Sequence, residues 1–218
     1  MISPTQLMKR LGVGGGLVPF FKCVCVYFVA ASDAAPSAAA VAAKCAPVLC
    51  LMLFVLLHRP RPRPAQEWYA RRIAAGLALS ALGDALLVWP QHFVAGMAAF
   101  GAAHIAYIAA FRFRPLALHL AVVLYFATAL FLLVLEPPGL LAWLVPLYAA
   151  LLAGSAWRGA ARGGRAAGGA LLFLASDALL AYSLFGGPLP HKQVLVMSTY
   201  YLGQLGIALS VLDPCPAL

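Results

Sequence analysis

The stretch 78–89, ALSALGDALLVW, decides the reading of this chain, because it sets a single carboxylate, Asp84, inside a run that is otherwise almost wholly apolar. Residues 171–182, LLFLASDALLAY, repeat the arrangement around Asp177. A carboxylate inside so greasy a segment costs free energy wherever it is buried, and most of all in lipid. What surrounds these two runs therefore decides both the fold and what the acids do.

Outward from them, the chain stays apolar. Of its 218 residues 64% are hydrophobic and only 10% charged, and the mean hydropathy is +0.94, beyond what a water-soluble domain of this length tolerates. The runs are rich in Ala, Leu and Val without period-2 alternation, which selects helices over a barrel. A membrane helix needs about 20 apolar residues. The sequence thus predicts an all-α polytopic membrane protein with eight transmembrane helices, at approximately 17–32, 37–57, 70–89, 93–111, 115–135, 139–157, 168–186 and 193–212. Between them stand Pro-, Gly- and charge-rich breaks such as HRPRPRPAQ, WPQH, EPPG, WRGAARGGRAAG and GGPLPHK, none long enough for a soluble domain, so residues 1–218 form one membrane domain.

Charge is distributed unevenly over these breaks. Lys9, Arg10, Arg59, Arg61, Arg63, Arg71, Arg72, Arg112, Arg114, Arg158, Arg162 and Arg165 fall on the side shared by the N-terminus and the even-to-odd connections, while the other side keeps Lys192, Asp33 and Glu136. This is the positive-inside pattern, and with eight spans it puts both termini in the cytosol. It also accounts for the net charge of +9 without nucleic acid as a partner. The N-terminal segment lacks a small-residue cleavage site after its apolar run, and a retained first span is expected. Cys23, Cys25, Cys45, Cys50 and Cys215 show no spaced pattern with histidine and read as small apolar residues rather than a disulfide or zinc framework.

Setting Asp84 on Asp177 aligns LSALGDALL with LFLASDALL. The match continues into the next helix, where Met97 meets Met197, Phe100 meets Tyr200 and His104 meets Gln204. Pro47 and Pro146 precede the two aspartates at similar distances. The chain reads as two parallel four-helix repeats, an organisation that places sites between the halves.

Four of the six acids, Asp33, Glu67, Glu136 and Asp213, lie near loops or span ends; Asp84 and Asp177 stand apart, each expected near mid-span and at similar depth. Two carboxyls sharing an apolar pocket do not both ionise cheaply, so one is expected to hold a proton, which supplies a general acid beside a general base or electrostatic partner. His104, Tyr107, Tyr200, Tyr201 and Gln204 lie at helical spacings that let them either support this site or tie helices together by hydrogen bonds. Lys44 has three uses open to it: snorkelling to the interface, pairing with an aspartate, or holding a substrate phosphate. His58, His92, His119 and His191 are scattered, and no metal site is expected.

Taken together, LVPFFK, CVYFV, KCAPVLCL, SALGDALLVW, GMAAFGAAHIAYIAAF, LFLASDALLAY and VLVMSTYYLGQLGIALS resemble the lysoplasmalogenases, the YhhN-like family of eight-span membrane proteins, in a vertebrate member. The resemblance covers nearly the whole chain. It implies hydrolysis of the vinyl ether bond of lysoplasmalogens to a fatty aldehyde and glycerophosphoethanolamine or -choline, residence in the endoplasmic reticulum membrane, no cofactor, and partners limited to the lysophospholipid substrate and membrane lipids. The basic loops HRPRPRP and ARGGRAAGG depart from the family pattern away from the site. Vinyl ether hydrolysis proceeds by protonation of carbon through an oxocarbenium ion, so Asp84 and Asp177 are the expected catalytic pair, as in the two-carboxylate glycosidases. A proton-coupled carrier of small molecules or lipids is the alternative that repeated halves with intramembrane carboxylates allow.

Overall fold

A computed structural model describes residues 4–31, 35–58 and 64–214. Arg59, Arg61, Arg63, Asp33 and Cys215 lie outside the described residues, as do the side chains of Lys9 and Arg10. The described chain is all-helical, with no strand, and its α-helices are α1 (Pro4–Val26, continued by a π-helical turn, Tyr27–Ala31), α2 (Ala38–Leu57), α3 (Pro64–Leu86), α4 (Phe93–Phe111), α5 (Leu118–Leu132), α6 (Leu141–Arg162), α7 (Gly164–Phe185) and α8 (Lys192–Leu209).

Among the described residues, five helical stretches are long and apolar enough to cross a membrane: Ala38–Leu57, Pro90–Phe111, Leu141–Arg162, Gly164–Phe185 and Lys192–Leu212. Gly14–Val29 and Leu118–Leu132 are apolar but shorter, and α3 carries Glu67, Arg71, Arg72 and Asp84 along its length. Large apolar side chains face outward, among them Val122, Val123 and Phe126 of α5, as a lipid-facing surface requires.

Several boundaries move from their expected places. The helix α1 begins at Pro4 rather than near 17, α3 at Pro64 rather than 70, and α7 at Gly164 rather than 168. Apolarity marks the stretch that suits lipid, whereas a helix runs on through polar turns until something breaks it. The fifth helix is shorter than expected, stopping at Leu132, four residues before the Glu136–Pro137 step. The predicted loop WRGAARGGRAAG is mostly helix, because Gly163 at φ +80° and Gly164 at φ +58° make the junction between α6 and α7, conformations that a side chain disfavours.

Helices α2, α3, α4, α6, α7 and α8 follow one another around a ring that closes where α8 returns to α2; α1 lies outside on α2 and α5 lies outside on α6. Small residues permit the closest approaches. A Cβ on Gly76 would meet the Tyr107 ring at 2.2 Å, and one on Gly169 would meet the Ile207 backbone nitrogen at 2.4 Å. The basic ends of α3, α4, α6 and α7 interlock: Arg72 and Arg112 both stack on Trp68, Arg162 stacks on Tyr69, and Arg165 pairs with Asp213 at 2.7 Å. Arg158, expected as a loop charge, is instead fully buried. Its guanidinium donates to the carbonyls of Arg112, Pro115 and Leu116 at 2.6, 2.8 and 3.0 Å and so clamps the α4–α5 connection.

Candidate active site

Inside the ring, three helices converge on Asp84, which is 2% exposed. Tyr200 of α8 donates its hydroxyl to Asp84 Oδ2 at 2.6 Å, and Lys44 Nζ of α2 stands 3.8 Å from Oδ1. Lys44 thus stands beside an aspartate, one of the three uses open to it. Behind this pair runs a chain of hydrogen bonds: Gln204 Nε2 donates to the Tyr200 hydroxyl at 3.2 Å, and Tyr107 donates to Gln204 Oε1 at 2.9 Å. Ser80 Oγ lies 3.4 Å from the Tyr107 hydroxyl. A buried carboxylate with its donors aligned in this way is held in one rotamer.

Asp177 has a different environment. The Tyr148 hydroxyl of α6 donates to its Oδ2, and no cation stands beside it among the described residues. The Tyr148 oxygen also lies 3.4 Å from His104 Nε2 of α4, whose ring packs on Phe173 with centroids 4.7 Å apart. His104 is 1% exposed and its Nδ1 has no hydrogen-bond partner. With the Tyr148 proton committed to Asp177, the histidine tautomer that fits carries its proton on Nε2 and leaves Nδ1 as a bare acceptor. That is the less costly orphan, since an N–H left without an acceptor loses a stronger interaction.

Both carboxyls line one cavity of about 350 Å³, together with Lys44, Tyr148 and Tyr200. The remaining wall is almost wholly apolar, from Leu87 and Phe93 round to Phe131, Leu152 and Leu184. Most lining residues lie in the parts of their helices away from the arginine-rich end. Asp84 sits in the last turn of α3, because that helix stops at Leu86 ahead of the Trp89–Pro90 step, whereas eight helical residues follow Asp177 in α7.

Of the residues singled out from sequence, Asp84, Asp177, Lys44 and Tyr200 line the cavity, and His104, Tyr107 and Gln204 form the row behind them. Tyr201 turns away. It donates to the Lys44 carbonyl at 2.9 Å and packs its ring against Tyr27, so it fixes the backbone that carries Lys44 rather than facing the cavity. Sequence reasoning missed Tyr148, the hydroxyl that holds Asp177. Its signal was a lone phenol in the apolar run WLVPLYAALL, two residues beyond a proline already in use as a repeat marker. Ser80 and Ser176 were missed as well, the latter donating to the Val196 carbonyl at 2.9 Å to tie α7 to α8. No group of three or more His, Cys, Asp or Glu side chains able to hold a metal ion occurs among the described residues.

With this geometry in place, the family model for YhhN matches residues 39–211, a stretch that contains every member of the network above. The chain belongs to the YhhN family. Within it, this family member is 43% identical to lysoplasmalogenase TMEM86B of Sus scrofa, over 96% of this chain and 92% of that protein. It is 42% identical to human lysoplasmalogenase TMEM86B, over 95% and 92% of the two chains, and 39% identical to human lysoplasmalogenase TMEM86A, over 98% and 94%. No solved structure matches this YhhN chain.

Proposed function

We propose that this protein hydrolyses the vinyl ether bond of lysoplasmalogens, releasing a fatty aldehyde and glycerophosphoethanolamine or glycerophosphocholine. The observation that carries the reading is a single apolar cavity holding two carboxyls in unlike surroundings, in a chain whose relatives are named for this activity. A carboxyl that donates a proton and a carboxylate that stabilises positive charge are what the reaction needs.

The unlike surroundings divide the labour. Asp84, beside the Lys44 ammonium and under the Tyr200 hydroxyl, is the carboxylate of the pair. Asp177, with one hydroxyl donor and no cation beside it among the described residues, carries the proton. Asp177 protonates the vinyl carbon farther from oxygen, and the resulting oxocarbenium ion is stabilised by Asp84. Water adds to the cationic carbon and gives its proton to Asp84, forming a hemiacetal. The hemiacetal then collapses: Asp84 gives the proton it took from water to the glycerol oxygen as the C–O bond breaks, the hemiacetal hydroxyl gives its proton to the Asp177 carboxylate, and aldehyde and the free glycerol hydroxyl leave with both acids back in their starting states. Tyr148, His104, Gln204 and Tyr107 keep the two acids and the water in register.

The same reading extends to topology: eight membrane spans in two four-helix halves, both termini cytosolic, in the endoplasmic reticulum membrane. Support for the halves comes from neighbour relations. Each outlying helix, α1 or α5, lies on the helix that follows it, and Gly76 faces Tyr107 as its aligned partner Gly169 faces Ile207. The exclusion of arginine from the cavity half supports the orientation.

The test is aldehyde release from a 1-alkenyl lysophospholipid by purified protein in detergent, where no sealed membrane exists and carriage alone gives no product. Wild type should release aldehyde, and Asp84→Asn and Asp177→Asn should each lose at least 100-fold in kcat while keeping the wild-type melting temperature within a few degrees. Near-wild-type turnover in either folded variant removes that residue from the mechanism.

A further inference from the structure

The polar and apolar parts of the cavity come largely from different helices, with α7 contributing to both through Asp177 and the residues after it. Lys44, Asp84 and Tyr200 come from α2, α3 and α8. The far wall comes from α5, through Leu124, Ala127 and Phe131, and from α7, through Ala178, Ala181 and Leu184. Both helices line the cavity, yet α5 packs mainly on α6 and α7 mainly on α8 and α6, and at one end the connection after α5 is tied to α7 by the Glu136 N–H donating to the Phe185 carbonyl at 2.9 Å. The α5 helix buries none of its residues; Ala127 is exposed and Leu184 is 44% exposed, so the wall between α5 and α7 is open to the outside of the bundle.

The other outlying helix, α1, is packed closed against α8. Phe20 and Tyr27 of the first helical segment are each 2% exposed, the Tyr27 ring packs on Tyr201, and Gln193 at the start of α8 donates to the Tyr27 hydroxyl. One half of the molecule is thus closed by its outlying helix while the other is left ajar, and the open side is continuous with the aspartates.

We infer that the gap between α5 and α7 is a lateral doorway and hydrocarbon subsite that takes the single aliphatic chain of an ether lysophospholipid from the bilayer, holding it between Ala127 on one side and Ala178 and Ala181 on the other. The occupant follows from continuity and composition. An apolar slot that opens sideways and ends at an ammonium, two carboxyls and two tyrosines fits an amphiphile whose polar part lies at the Lys44 end and whose chain lies at the α5–α7 end. A sideways opening spares the chain a costly transfer through water. The small residues set the width of the slot, so a bulkier side chain there obstructs the chain without touching either acid.

This inference rests on the proposed activity for the identity of the lipid, and its test is independent of turnover. The probe is a 1-alkyl lysophospholipid bearing a diazirine midway along its saturated ether chain, which contains no vinyl ether to cleave. After photolysis with purified wild-type protein, mass spectrometry should locate the label on α5 residues 124–132 and α7 residues 178–185, and excess unlabelled 1-alkyl lysophospholipid should reduce it at least fivefold. Ala127→Phe and Ala181→Phe, made separately and with melting temperatures near wild type, should each reduce displaceable labelling at least fivefold. Displaceable label concentrated on α1, α2 or α4, label that competitor does not displace, or undiminished labelling in both variants overturns the subsite. Displaceable label at α5 and α7 without aldehyde release leaves the subsite standing and removes the hydrolase; aldehyde release with label elsewhere does the reverse.

Discussion

At the scale of single residues, the two aspartates differ in what holds them, and the difference can be measured. Lys44→Met keeps most of the aliphatic stem but deletes the charge 3.8 Å from Asp84, leaving a buried carboxylate with one donor. Its kcat should fall at least tenfold, and Lys44→Arg, which keeps a cation, should recover part of the loss. Tyr148→Phe removes the one hydroxyl on Asp177 and nothing from Asp84. As Asp177 gives up its proton the bond becomes one to a charged group, worth roughly 1.5–3 kcal/mol, so kcat should fall about 10- to 100-fold with KM little changed, read as initial rates of aldehyde release. If Tyr148→Phe turns over like wild type, Asp177 is positioned by something else. The acids themselves were legible in sequence because nothing in a greasy helix accounts for them, and the other acids contrast with them: Glu67 pairs with Arg71 at 2.6 Å one turn away and Asp213 pairs with Arg165. Tyr148 was not legible as a partner of Asp177 because a phenol is at home in apolar surroundings, and only the α6–α7 contact shows where its hydroxyl points.

At the scale of helices, boundaries were less legible than faces. Periodicity and apolarity located each helix, but the starts of α1, α3 and α7 depend on where the backbone first meets a breaker, which polar first turns conceal. The packing of α7 on α8 depends on Gly169, whose missing side chain lets the Ile207 backbone approach. The obstruction in Gly169→Ala is backbone, which cannot swing aside, so the variant should lose about 1–3 kcal/mol of stability and show a lower melting temperature in detergent. Arg158 illustrates a charge whose role the loop composition hid. Counted from sequence as one of many orienting arginines, it lies buried between Trp157 and Phe113 and satisfies three carbonyls of the α4–α5 connection. Arg158→Met should destabilise by roughly 2–3 kcal/mol, since the carbonyls lose their donors, and Arg158→Lys should not restore it, because one ammonium cannot span the geometry of a planar fork. Arg114→Gln, outside that clamp, is the control whose melting temperature should stay near wild type.

At the scale of the whole molecule, charge and cavity divide the bundle into unlike halves, and the proposed orientation rests on that division. Among the described residues, Arg71, Arg72, Arg112, Arg114, Arg158, Arg162 and Arg165 gather at the end where α3, α5 and α7 begin, while the connections at the other end carry Glu136, His191 and Lys192. An arginine at the centre of a bilayer costs about 2.5–3.5 kcal/mol even on the most lenient scale, so short loops carrying several of them stay on the side of synthesis. In the proposed orientation the aspartate cavity and the gap between α5 and α7 belong to the leaflet opposite the cytosol. Glycosylation-acceptor sequences inserted with spacers at 137–139 and at 187–189 should be modified in microsomes, whereas the same cassette at 113–115, or appended to the N-terminus, should remain unmodified. The reverse pattern would turn the cavity to the cytosolic leaflet and sink the orientation while leaving the site intact. Modification at 187–189 but not at 137–139 would mean that α6 and α7 do not span as a pair, and the eight-span arrangement would fail with it.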